Sequence, residues 1–188
     1  MTINFEGQVA IVTGAGGGLG KQHALELAKR GAKVVVNDLG GSVDGAGSSI
    51  SAAETVSQEI LENGGESIAH GASVSDLNAV QNMIEQTMAT WGRVDILVNN
   101  AGILRDKTFK KLETSDWHEV INVHLNGSMN CSKLVWPIMT EQNYGRIVMT
   151  TSTSGSKRAP RPKIRDISSC VFCMVMDYSP HILDKFCI

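Results

Sequence analysis

An apolar run from Gln8 to Val12 breaks into Thr13-Gly14-Ala15-Gly16-Gly17-Gly18-Leu19-Gly20, and residues at helical spacing follow at once. A short run of this kind, ended by glycines, reads as a buried parallel strand entering a tight turn. Ala24, Leu27, Ala28 and Gly31 then mark a helix, with Gly31 as its stop, and Lys33 to Val36 is a second apolar run. Strand, helix and strand within about thirty residues make a βαβ unit.

The alternation continues along the chain. Ala52, Ala53, Val56 and Ile60 predict a second helix, ended by Gly64 and Gly65, before a short strand at Glu66 to His70. Val80, Met83, Ile84 and Met88 predict a third helix, capped by Ser75 or Asp76. Asp95 to Val98 reads as a fourth strand. A long helical region capped by Ser115 runs toward Asn143, and Gly145 to Thr150 reads as a fifth strand. The expected fold class is therefore α/β, a Rossmann-like doubly wound parallel sheet covered on both faces. The polar, glycine-rich stretch between Asp38 and Ser51 is expected to be a surface loop bordering a ligand.

The glycine turn carries the first chemical signal. Without Cβ atoms its backbone can approach a pyrophosphate, whose charge the N–H groups at the helix start would face. Asp38 closes the second strand eighteen residues after Gly20. A carboxylate there can accept hydrogen bonds from both ribose hydroxyls of an adenosine and would repel a 2′-phosphate, so NAD is expected over NADP. The alternative is a solvated turn aspartate.

These residues resemble the short-chain dehydrogenase/reductase family. Thr13, Gly14, Gly18 and Gly20 match its T-G-x-x-x-G-x-G pattern, and Asn99-Asn100-Ala101-Gly102 matches its N-N-A-G. The stretches VVVNDLGG at 34–41, NNAGILRD at 99–106 and YGRIVMTTSTSG at 144–155 are most similar to its (3R)-hydroxyacyl-CoA dehydrogenase group, found in peroxisomal multifunctional enzymes and bacterial relatives. The resemblance implies hydride transfer from a secondary alcohol, a 3-hydroxyacyl-CoA, to NAD. It also implies a small-molecule, acyl-CoA-like substrate and a homodimer or tetramer for the full domain. The cofactor-contacting set so implied is Thr13, Gly14, Gly18, Leu19, Gly20, Asp38, Ser73, Val74, Asn100, Ala101 and Gly102. Ser73 and Val74 would lie against the adenine, and Asn100 against the cofactor ribose.

The family's proton chemistry uses a Ser, a Tyr and a Lys. Ser152 matches the first, as a donor to the substrate oxygen. Arg165 and Ser169 stand at the offsets of the Tyr and the Lys, and Tyr178 has Ile182 rather than a Lys four residues on. A catalytically incomplete nucleotide-binding remnant is therefore the alternative to a working oxidoreductase. His124 occupies the place of the family's fourth catalytic residue, an Asn, and reads equally as helix packing or as a proton relay.

Composition changes at the same point. All nineteen glycines lie at or before Gly155, whereas three of the four cysteines and three of the four prolines lie after it. The expected domains are thus 1–155, a partial NAD-binding domain, and 156–188, a divergent, basic, poorly ordered tail. A shifted reading frame or abnormal splice near residue 156, with the family's sixth and seventh strands missing, would account for the change. Cys170 and Cys173 form C-x-x-C, but no metal site is expected from them. A formal net charge of −2 argues against nucleic-acid or anionic-membrane partners, and the basic, proline-broken stretch 157–165 reads as a solvated arm rather than a nucleic-acid contact. Apolar runs are too short to span a bilayer. A cytoplasmic chain is expected, or a peroxisomal one if it belongs to a larger eukaryotic protein.

Overall fold

The structure, a computed structural model, describes residues 3–41, 50–105 and 107–151, and the backbone of 176–178. The central strand β1 (Val9–Thr13) is buried along its whole length. It is followed by α1 (Gly18–Lys29), β2 (Lys33–Asn37), α2 (Ser51–Glu62), β3 (Glu66–His70), α3 (Leu77–Trp91) and β4 (Ile96–Asn99). Then come α4 (Thr114–Ile121), a wide π-helical turn at Asn122–Asn126, α5 (Gly127–Glu141) and β5 (Gly145–Met149). The order across the sheet is β3-β2-β1-β4-β5, all parallel, with β6 (Met176–Tyr178) antiparallel on the outer edge of β5. This is the expected doubly wound α/β sheet.

Alternation along the strands explains the two cores, because successive side chains leave a strand on opposite faces. Ile11, Val35, Leu97 and Ile147 point to one face, where they pack with Val80, Met83 and Ile84 of α3 and Cys131, Val135 and Met139 of α5. Ala10, Val12, Val34, Val36, Ile96 and Val98 point to the other, against Ala24 of α1 and Ala53, Val56 and Ile60 of α2. Each fully buried Val, Leu or Ile contributes roughly 1.5–3 kcal/mol. Covering both faces is what lets the strands be apolar without interruption.

Helix ends follow local chemistry, with two refinements of the sequence expectation. Of the two candidate caps of α3, Asp76 is the one used: its Oδ1 accepts the N–H of Asn78 at 2.9 Å and of Ala79 at 3.3 Å. Gly92 closes that helix in the left-handed conformation at φ 72°. Ser115 does not cap α4, because the helix starts one residue before it and Glu113 holds the cap position. Asp116 accepts the Glu113 N–H at 3.2 Å, the N3-to-cap half of a capping box. The long helix expected toward Asn143 is interrupted by the π turn, where the Gly127 N–H reaches back to the Asn122 carbonyl.

The chain leaves β1 toward β2 and β3 on one side, then returns to β4 and β5 on the other. The loops after β1 and β4 therefore diverge and open a crevice above their C-terminal ends. Among the described residues no helix is long and apolar enough to cross a membrane. Residues 42–49 of the expected surface loop, Ser152, Cys170 and Cys173, and the rest of the tail apart from β6 lie outside the described residues.

Candidate functional site

A cleft of about 450 Å³ occupies that crevice. Its floor is the glycine turn, with Gly14, Gly16, Gly17 and Gly18 on the wall. Residues 37–41 after β2 and 72–74 after β3 form one side, and 100–103 after β4 form the other.

The turn is glycine-rich for separate local reasons. Gly14 has φ 63°, and a Cβ there would come within 2.8 Å of the Ala101 Cα. A Cβ on Gly20 would sit 2.1 Å from the Gly14 carbonyl oxygen, so that glycine lets α1 pack against the turn. Gly18 has φ 53° with open space around it. No side chain caps α1, and its first turn contains no acidic residue. The free N–H groups and the positive end of the helix dipole suit an anion there.

Thr13 and Asn100 tie the two loops together. The buried Thr13 Oγ1 donates to the Val98 carbonyl at 3.2 Å and accepts the N–H groups of Asn100 at 3.0 Å and Ala101 at 3.1 Å. Asn100 returns the contact, its Nδ2 donating to the carbonyls of Thr13 at 3.1 Å and Gly14 at 3.0 Å. Of the residues singled out from the sequence, Gly14, Gly18, Asp38, Ser73, Val74, Asn100, Ala101 and Gly102 share the cleft wall. Thr13 and Gly20 lie behind it, and Leu19 is exposed outside it.

Asp38 stands at the mouth. Its Oδ2 accepts the Gly16 N–H and its Oδ1 the Gly40 N–H, each at 2.7 Å. Each oxygen keeps a lone pair for another donor. Beside it, the buried Asn37 amide clamps the backbone of Ala72: Nδ2 donates to the Ala72 carbonyl at 3.1 Å, and Oδ1 accepts the Ala72 N–H at 2.9 Å. The His70 Nδ1 shares that N–H at 3.1 Å. Farther along the same wall, Asn130 Nδ2 donates to the Val74 carbonyl at 3.0 Å. A Cβ at Gly127 would press within 2.5 Å of Val74 Cγ2, so this glycine makes room for Val74.

On the opposite side, His124 rises from the π turn. Its Nε2 lies 3.1 Å from the Ile103 nitrogen and 3.0 Å from the Ile103 oxygen. One tautomer accepts the N–H and the other donates to the carbonyl, so the ring fastens the segment after Gly102 in either form. Gly102 leaves the ring its place, since a Cβ there would be 2.7 Å from His124 Cε1. Beyond it the buried Asp116 collects Lys107 Nζ at 2.6 Å and Arg105 Nε at 3.5 Å. The Lys107 ammonium holds the Asp116 carboxyl below its ordinary pKa.

Sequence reasoning missed Asn37 as part of this site, and read Gly16 as one residue of the turn without its contact with Asp38. Asn37 left a visible trace, a polar residue at the end of an otherwise apolar buried strand. The Gly16 contact left none, since the glycine pattern tolerates any residue there. Ser152 lies outside the described residues. Tyr178 is placed by register opposite Gly145, the first residue of β5. The end of β5 near the cleft is four residues on, roughly 13 Å at the rise of a strand.

The short chain dehydrogenase family model matches residues 8–163. The chain belongs to the short chain dehydrogenase family. It is 54% identical over 153 residues to the peroxisomal multifunctional enzyme type 2 of Drosophila melanogaster, a match covering 81% of this chain and 25% of that protein. It is 52% identical over 155 residues to the peroxisomal multifunctional enzyme A of Dictyostelium discoideum, covering 82% and 34%. The chain thus spans between a quarter and about a third of the length of these two relatives. Among solved structures it is similar to a 7α-hydroxysteroid dehydrogenase complexed with NADH and 7-oxo glycochenodeoxycholic acid. The TM-score is 0.80 at 29% identity, over 89% of this chain and 62% of that one.

Proposed function

We propose that this chain is the NAD-binding part of an oxidoreductase acting on a secondary alcohol, with a 3-hydroxyacyl-CoA as substrate of the whole enzyme. The observation that carries the reading is the Asp38 carboxylate, held at the cleft mouth by two backbone N–H groups beside the uncapped start of α1. A dinucleotide fits this donor set: the glycine turn and the N–H groups of α1 receive the pyrophosphate, and Asp38 accepts the adenosine ribose hydroxyls. Ser73 and Val74 flank the adenine, while Asn100, Ala101 and Gly102 border the nicotinamide half. NAD, when bound, accepts the hydride from the alcohol carbon. Likeness to peroxisomal multifunctional enzymes supports the acyl-CoA substrate and a peroxisomal setting, and likeness to an NADH complex supports the cofactor.

Ser152 would donate to the substrate oxygen. Arg165 and Ser169, at the offsets of the family's Tyr and Lys, cannot exchange the alcohol proton in the same way: a guanidinium stays protonated, and the serine hydroxyl carries no cationic charge to lower a neighbour's pKa. This favours a second reading, a chain that binds NAD without turning it over. Calorimetric titration with NAD and NADP, alongside NADH absorbance with a 3-hydroxyacyl-CoA series, tests both. NAD binding at least about tenfold tighter than NADP, lost in Asp38→Ala, is expected from the removal of charge-assisted hydrogen bonds, with no turnover. No NAD binding would overturn the first reading, and sustained turnover the second.

A further inference from the structure

Residues 72–74 leave the sheet at its margin, because β3 is the outermost strand on its side of the order β3-β2-β1-β4-β5. Their backbone is held by other groups. Asn37 takes both the N–H and the carbonyl of Ala72, and the Ser73 carbonyl accepts the Asp76 N–H at 3.1 Å. The Val74 carbonyl accepts Asn130 Nδ2 at 3.0 Å, a bond that comes from 56 residues along the chain. Asn130 lies one helical turn after Gly127 on the same face of α5, and Gly127 is where that helix makes room for the Val74 side chain. α5 therefore grips Val74 twice, at the side chain and at the carbonyl. Val74 lines the cleft, whereas Asn130 stands behind it. The stretch just before Asn130 also holds the opposite wall, through His124 and Ile103.

We infer that Asn130 is a positioning residue for the adenosine end of the cofactor, fixing from outside the cleft the Val74 backbone and with it the wall beside the base. The inference rests on the dinucleotide reading above, which puts Ser73 and Val74 against the adenine. Without the Asn130 donor, the far end of the wall loses its tie to α5 and is held through Asn37 at Ala72 alone. The base must then order the wall as it binds, which costs affinity. The nicotinamide half borders the loop after β4, to which the Asn130 side chain makes no hydrogen bond among the described residues.

The test is calorimetric titration of the whole chain, unmutated and as Asn130→Ala, with NAD, AMP and nicotinamide mononucleotide, the last read also by displacement of NADH. Asn130→Ala weakens NAD and AMP by about fivefold, the scale of one neutral hydrogen bond, and leaves nicotinamide mononucleotide unchanged. A general loosening of α5 would weaken both mononucleotides, because the same stretch of chain fastens Ile103. Unchanged AMP affinity, or an equal loss for the two mononucleotides, overturns the inference. Absence of NAD binding by the unmutated chain overturns the underlying reading instead. Should Asn130→Ala not fold, Asn130→Leu keeps the shape of the side chain without its donor, and the same pair of affinities is read on it.

Discussion

Asp116 gathers more charge than any other side chain described around the site. It is buried, it accepts from Lys107 and the Glu113 backbone, and Arg105 approaches it. Its pKa is lowered, chiefly by Lys107, so the folded state binds its proton less readily than the unfolded chain. The stabilisation is present at neutral pH and is lost as pH falls through the ordinary carboxylate range toward the lowered value. Asp116→Asn should therefore melt below the parent at pH 7, and the gap should close as pH is taken toward 3. A gap that stayed constant would place the effect in packing rather than in charge. Asp38, Gly14, Gly18 and Asn100 were legible as site residues because their spacing is local and follows the order of the elements. Asn37 and the contact of Gly16 with Asp38 were not, since the neighbours involved, Ala72 and Asp38, come from other loops.

At the scale of elements, boundaries follow the chemistry at their ends. Asp76 satisfies two open N–H groups of α3, and replacing a cap of this kind by alanine costs about 1 kcal/mol. For a chain of this size, Asp76→Ala should lower the melting temperature by roughly 2–4 °C, read by circular dichroism. No change would mean that Ser75 takes over the cap. Strands β1 to β5 were legible within a residue or so: β1, β2 and β4 are short, buried, mostly apolar runs, while β3 is marked by the glycines that precede it and β5 by the glycine it opens on. The π turn at Asn122–Asn126 was not, since its residues continue the helical pattern and include neither Gly nor Pro. His124 reaches Ile103 from within this turn, and no periodicity signals the turn.

For the whole molecule, the two cores set what solvent can reach. Cys131 sits in the core shared by α3, α5 and the sheet, and burial pushes its thiol pKa up to about 12. The thiolate, the form that reacts with alkylating reagents, is thus scarce as well as enclosed. Iodoacetamide at pH 8 followed by peptide mass spectrometry should leave Cys131 unmodified in the native protein and modify it in denaturant. Because a ligand that binds only the folded state stabilises it by mass action, NAD should slow the residual labelling. Native labelling as fast as that in denaturant would contradict the packing of this core.

The position of β1 has a consequence in time. Its first N–H, at Val9, bonds to the carboxylate of Asp95, 86 residues later, and β4 supplies its second strand partner. During synthesis β1 pairs with β2 soon after both emerge, but its other edge waits for β4. At a ribosomal pace of about 5–20 residues per second that wait lasts several seconds. Through it an apolar strand keeps one row of unpaired N–H and C=O groups open to other nascent chains. The feature that makes β1 the centre of the finished sheet is the one that keeps half of it waiting for a partner far along the chain.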